Sequence, residues 1–155
     1  MRILAIDPGS ACGWAIRHSG SDYDSGVWDL NANRHEGGGM RFLRARKAFR
    51  EIVALFKPDV VVYEEVRRHV STASAHVYGG IIAVIAAECE AMEPKIPYRG
   101  LHVQHAKKLA TGKGNANKEA MVAAAQARWP GYAFADDNEA DARWLAELGA
   151  KELGA

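Results

Sequence analysis

Cysteine is scarce here: Cys12 and Cys89 are the only two in 155 residues, and neither CxxC nor zinc-finger spacing relates them. That excludes a disulfide framework and a structural zinc site, and fits a reducing cytoplasm. Long apolar runs are also missing. Although 48% of the residues are hydrophobic, no uninterrupted run reaches membrane-spanning length, so no membrane association is expected. Met1-Arg2 leads straight into a strand-like run, without the charged and apolar regions of a signal peptide. No repeat, linker or low-complexity segment divides the chain, and residues 1–155 read as one domain with a sizeable core. Net charge is small as well, at +1. Setting aside the acids Asp7, Glu64, Asp137 and Asp141 leaves a remainder of +5, and its basic residues are clustered.

What is present is a strand that ends on an acid. Ile3-Leu4-Ala5-Ile6 is apolar and stops at Asp7; Pro8-Gly9 turns the chain, and a second run containing Gly13 leaves again, as in a hairpin. Asp7 alone is equally readable as the start of an Asx-type turn. A second acid in the same setting favours a site: Val60-Val61-Val62-Tyr63 is another buried-strand run, ending on Glu64-Glu65. A third acidic cluster, Asp136-Asp137-Asn138-Glu139-Ala140-Asp141, opens the last helical segment.

Between these motifs, residues 23–30 read as a third strand and residues 31–39 as a polar loop. Over residues 40–56, Phe42, Leu43, Phe49, Ile52, Val53 and Phe56 recur at helical spacing, with Arg41, Arg44, Arg46, Lys47 and Arg50 on an outer face that is ordinarily just solvated. Residues 60–64 form the fourth strand. Residues 81–87 are apolar all round, preceded by Gly79-Gly80, so that helix is either buried or a subunit interface, and the interface is favoured. A short fifth strand is expected at residues 101–103, then a helix through Lys107 and Lys108. The loop Thr111-Gly112-Lys113-Gly114-Asn115-Ala116-Asn117-Lys118 lacks the Walker pattern, yet Lys107, Lys113 and Lys118 suit nucleic-acid phosphates. Asn117 is placed to cap a helix over residues 118–129.

This order of elements predicts an α/β fold: a mixed five-stranded sheet, three strands antiparallel and two parallel, flanked by helices. Right-handed crossovers set the fourth strand beside the first. Asp7 and Glu64 then end neighbouring strands about 4.8 Å apart, where they can share one cation or hold a pair. Oxygen ligands without His or Cys favour Mg²⁺, with Mn²⁺ as a substitute.

Ala5-Ile6-Asp7-Pro8-Gly9-Ser10 with Gly13, Tyr63-Glu64-Glu65-Val66, Gly112-Lys113-Gly114-Asn115-Ala116-Asn117-Lys118 and Glu139-Ala140-Asp141-Ala142 together resemble the successive motifs of RuvC-type Holliday-junction resolvases. The resemblance runs nearly end to end. It implies an RNase H-like fold, a homodimer, and Mg²⁺-dependent paired nicking of four-way or branched DNA. Asp7, Glu64 and Asp141 fall on the family's metal-binding carboxylates, and Lys107 and Lys118 on its basic active-site positions.

Two departures stand out. Three residues before the final Asp the family usually has an acid or a histidine; here it is Asn138. On a helix, Asn138 and Asp137 lie about 60° and 40° from Asp141, so both are eligible as the fourth metal ligand, and charge favours Asp137. Asp136 and Glu139 read instead as a capping box. After the Glu motif, where bacterial members often place an aromatic wedge, this chain has Arg67-Arg68-His69, with Arg67 and Arg68 expected on DNA. These departures point towards a phage or prophage branch. The competing readings are an ATP-binding actin-like protein, for which the chain is too short, another RNase H-fold nuclease acting on RNA–DNA hybrids or ribosomal RNA precursors, and a non-catalytic junction-binding protein.

Overall fold

The structure is a computed structural model that describes residues 1–20 and 22–155. The elements in chain order are β1 (Ile3–Asp7), β2 (Ala11–Arg17), β3 (Tyr23–Asp29), α1 (Met40–Phe56), β4 (Val60–Glu65), α2 (Thr72–Ala91), β5 (Tyr98–His102), α3 (Val103–Thr111), α4 (Lys118–Arg128) and α5 (Asp137–Leu153). They form one sheet in the order β3-β2-β1-β4-β5. β1, β2 and β3 are antiparallel neighbours, while β4 runs parallel to β1 and β5 parallel to β4. This is the mixed sheet that the order of elements predicts.

Alternation along the strands sorts side chains to two layers. Leu4, Ile6, Cys12, Ile16 and Val61 face α1 and α2, where they pack with Phe49, Ile81 and Ile85. Ile3, Ala5, Ala15, Val60 and Val62 face α5, packing with Ala142, Leu145 and Ala146. Each large aliphatic side chain so buried contributes about 1.5–3 kcal/mol. By the same alternation Asp7, Gly13 and Glu64 look towards α5, and Glu65 looks away.

Several expectations need correction. The fifth strand lies at Tyr98–His102, not at residues 101–103, and α3 begins immediately after it. It is an edge strand whose first two residues, Tyr98 and Arg99, are exposed, so its apolar content falls short of a strand pattern. The arginines of α1 are not merely solvated. Arg46 and Arg50 both reach Glu88 of α2, which is 6% exposed, and Arg44 binds Glu36 and the Asn31 carbonyl. Hydrogen bonds from the two arginines hold the Glu88 carboxyl below its ordinary range against the effect of burial. Finally, α2 as a whole is long and apolar enough to cross a membrane by length and composition. Its Ile81, Ile85, Glu88 and Cys89 are nonetheless packed into the α1/α2 layer, and a carboxylate holding two guanidiniums there suits a protein interior rather than lipid. Gly80 is where the Phe42 ring of α1 fits, leaving no room for a Cβ, whereas Gly79 faces open space.

The start of α5 departs from the expected capping box in one half. The Asp136 side chain accepts from the Glu139 amide at 3.1 Å, as expected. Glu139 does not return to Asp136. It is 2% exposed, and its carboxylate accepts from the Ala135 amide, the Ser25 hydroxyl and the Tyr132 hydroxyl, each at 2.6 Å. Arg143, also buried, donates to Ser25 at 2.7 Å and lies 3.6 Å over the Tyr132 ring, with Tyr23, Trp129 and Phe134 around it. This network ties β3 and the loop before α5 to the first turns of α5. Removing one partner from such a buried charged set typically costs about 3–5 kcal/mol.

Candidate active site

The parallel pairing of β1 with β4 runs from Ile3 opposite Val60 to Ile6 opposite Tyr63. The next residues on the two strands are Asp7 and Glu64, so the carboxylates stand side by side at the edge of the sheet. α5 crosses this face closely. Gly149 packs against Val62 and Ile3, and a Cβ placed on Gly13 would lie 2.0 Å from the Asn138 carbonyl oxygen. Only a glycine admits the first turn of α5 this near to β2, and that contact delivers Asp137 and Asp141 to the strand ends.

The electrostatics follow from crowding. The Asp7 carboxyl is pushed well above the usual range, first by burial and then by Glu64, Asp141 and Asp137. Asp141 is pushed up to about 6 by burial, Glu64 and Asp137, with Lys107 and Lys118 acting in the opposite sense. Glu64 is also raised by burial, although its hydrogen bond to Asp7 and the charge of Lys107 pull it down. Among the described residues no three acidic, histidine or cysteine side chains are gathered closely enough to hold a metal ion as they stand. The acids make a looser set: Asp7 and Glu64 end adjacent strands, and Glu64, Asp141 and Asp137 act on Asp7 through charge. Such a donor set, all oxygen and short of positive charge, fits a hard divalent cation. The nearby Cys12 is no competitor, since burial and the Asp7 charge push its thiol up to about 12.

Asp137 and Asn138 have different surroundings. Asp137 accepts from the Lys118 ammonium at 2.6 Å, which holds its carboxyl below the ordinary range and raises Lys118. Asn138 donates its side-chain amide to Asp136 at 3.0 Å while its backbone abuts Gly13. Of the two, Asp137 belongs electrically to the acidic set. Lys107 of α3 lines a small cavity with Glu64 and Asp141. Lys113 sits apart, in a loop started by left-handed Gly112 and fixed by its own amide bond to the Thr111 hydroxyl.

No protein-family profile and no curated protein sequence matches the chain. Solved structures do. RuvC of Thermus thermophilus superposes with a TM-score of 0.76 at 19% identity, covering 99% of this chain and 97% of that one. The same RuvC in complex with a Holliday junction substrate gives 0.80 at 20% identity, covering 99% and 96%. The yeast mitochondrial Holliday junction resolvase Ydc2 gives 0.55 at 16% identity, covering 99% and 82%. The fold is RuvC-like, and so RNase H-like.

Within the RuvC-like fold, residues 66–71 join β4 to α2 beside the acids. Tyr78 of α2 braces this loop: its hydroxyl donates to the Glu64 carbonyl at 2.9 Å and accepts from the Val66 amide at 3.2 Å, and its ring lies tilted against His69 with centroids 4.8 Å apart. Arg67 approaches His102 Nε2 at 2.8 Å, and His102 Nδ1 lies 3.3 Å from Glu65. Glu65 thus works on the face opposite Glu64, as alternation requires. Arg67 and Arg68 line an open groove of about 630 Å³ with Glu65, His102, Gln104 and His105. Tyr78 and His102 were not singled out in the sequence, where Tyr78 is one more residue of an apolar helix. The loop that carries Arg67-Arg68-His69 also leaves Val70 fully exposed.

Proposed function

We propose that this protein is a structure-selective endodeoxyribonuclease, a single RNase H-like nuclease domain that resolves Holliday junctions and related branched DNA by metal-dependent paired nicking in the cytoplasm. The observation that carries this reading is the convergence of Asp7, Glu64 and Asp141 at one sheet edge of a RuvC-like fold. The likeness of that fold to RuvC bound to a Holliday junction substrate and to the yeast mitochondrial Holliday junction resolvase supports the substrate class. Asp7, Glu64, Asp141 and Asp137 would hold Mg²⁺, or Mn²⁺ in its place. When bound, the metal supplies charge that lets the acids ionise together and favours attack by water on the scissile phosphate. Lys107 and Lys118 would offset negative charge gathering on that phosphate. Arg67, Arg68 and Lys113 would supply further cations for the DNA backbone.

Labelled four-way, Y-shaped and RNA–DNA hybrid substrates, incubated with and without Mg²⁺, test the reading. Paired nicks in the four-way substrate that require Mg²⁺ are expected. Cutting confined to the hybrid would reassign the protein to another nuclease of this fold, and junction binding without cutting would make it a non-catalytic binder.

The fourth ligand is assigned to Asp137. In Asp137→Asn the Mg²⁺ concentration for half-maximal cleavage should rise at least about tenfold, while Asn138→Ala should stay near the wild type. A large loss seen only in Asn138→Ala would reverse the assignment.

Two strands to be nicked symmetrically call for two sites. We assign the partner face to α2, whose Gly79, Ala83 and Ala87 are exposed on an otherwise apolar helix. Sedimentation at micromolar concentration should give a homodimer, twice the 16.9 kDa chain. A monomer there would leave α2 without this role.

A further inference from the structure

Where the α1/α2 layer meets the Asp7 turn, a cavity of about 480 Å³ opens to solvent. Gly9 and Ser10 form one wall, Ser71 and Ser74 of the α2 start another, and Arg41 and His69 bring the charge-bearing groups. Among the described residues no acidic side chain lines it. Arg41 differs from the other arginines of α1. Arg44, Arg46 and Arg50 are all engaged with Glu36 or Glu88. Arg41 Nε is buried and has no hydrogen-bond partner among the described residues. An unmatched buried donor on a permanent cation is costly unless an anion completes it.

Beside the apolar Pro8, Val66 and Val77, the start of α2 adds polar groups to the wall. Ser71 caps α2, accepting from the Ser74 amide at 3.1 Å through its hydroxyl and from the Ala75 amide at 3.1 Å through its carbonyl. The Ala73 amide, at the cavity wall, is then a first-turn donor left over, at the positive end of a 20-residue helix. A guanidinium fork, a free amide and hydroxyls around a space of this size are the chemistry that receives a phosphate.

We propose that this cavity is a phosphate subsite for the strand being cut, in which Arg41, with the start of α2, holds the backbone phosphate next to the one that meets Asp7. The inference rests on the nuclease reading and adds a contact on the side of the Asp7 turn opposite Lys107 and Lys118. The strand would be gripped on both sides of the bond to be broken, which fixes its register against the carboxylates.

The test is binding of four-way junctions that carry a single neutral methylphosphonate at successive linkages flanking the cleavage point, measured without divalent ions. In the wild type, one linkage beside the scissile phosphate should weaken binding about tenfold. In Arg41→Gln that penalty should disappear, and the log-log salt slope should flatten by about 0.9. A variant that melts like the wild type and keeps both the penalty and the slope overturns the subsite while leaving the nuclease reading intact. Failure of the wild type to bind any junction would sink both. Should Arg41→Gln not fold, Arg41→Lys keeps the charge without the planar fork and should reduce the penalty at the same linkage. A flat wild-type profile at the flanking linkages overturns the proposal with no variant at all.

Discussion

Asp7→Asn is expected to lower cleavage of a four-way junction by about a thousandfold or more while leaving junction affinity within about twofold of the wild type. The substitution keeps the shape of the side chain and removes the charge most deeply embedded among the acids, the one acted on by Glu64, Asp141 and Asp137 together. A metal held by a depleted carboxylate set loses several kcal/mol of transition-state stabilisation, and each 1.36 kcal/mol is a factor of about ten in rate. Affinity belongs to the cations, and none of those changes. Glu64→Gln should behave alike. Glu65→Gln should cut at close to the wild-type rate, since Glu65 faces His102 across the other side of the strand. Rapid cutting by Asp7→Asn in Mg²⁺ would remove the acidic set from the mechanism.

Gly13→Ala should also be damaging, through geometry alone. The added methyl would stand 2.0 Å from the Asn138 oxygen and 2.5 Å from its carbonyl carbon, both backbone atoms that no rotamer change can move aside. α5 must retreat or β2 must buckle. Overpacking of this kind costs about 1–3 kcal/mol of stability. The displacement falls on the turn that presents Asp137 and Asp141, and a misplacement of about 1 Å at a catalytic group costs about a hundredfold in rate. Melting temperature and single-turnover cleavage are the two measurements. Gly13→Ala with both unchanged would mean that α5 does not need this approach to deliver its acids.

Much of this architecture was legible in the sequence because it is written locally. β1 and β4 each announce themselves as apolar runs stopped by an acid, α1 was bounded correctly by its period, and the Asn117 and Asp136 caps lie where sequence places them. The parallel pairing that puts Asp7 beside Glu64 followed from crossover handedness. What failed was non-local. Glu139 looks like half of a capping box, yet it is buried because Ser25 and Tyr132 come to it, one from β3 and one from the preceding loop. Arg46 and Arg50 look solvated until α2 presents Glu88. β5 was displaced because an edge strand keeps its register by hydrogen bonds to β4, with little apolar alternation to betray it. The surroundings of Asp137 were equally hidden, since Lys118 reaches it from another helix.

The double use of the Tyr78 hydroxyl has a consequence for genetics. The helix assigned to the partner face also grips, through this one oxygen, the backbone on either side of Glu65, that is the Glu64 carbonyl and the Val66 amide. A random-mutagenesis screen scored by DNA cutting would therefore return substitutions along α2 as loss-of-function alleles indistinguishable from those in the acids. Suppressors should separate the classes. Alleles that act by shifting α2 should be rescued by second changes on α1 or on α2 itself, whereas alleles of Asp7 or Glu64 should have none.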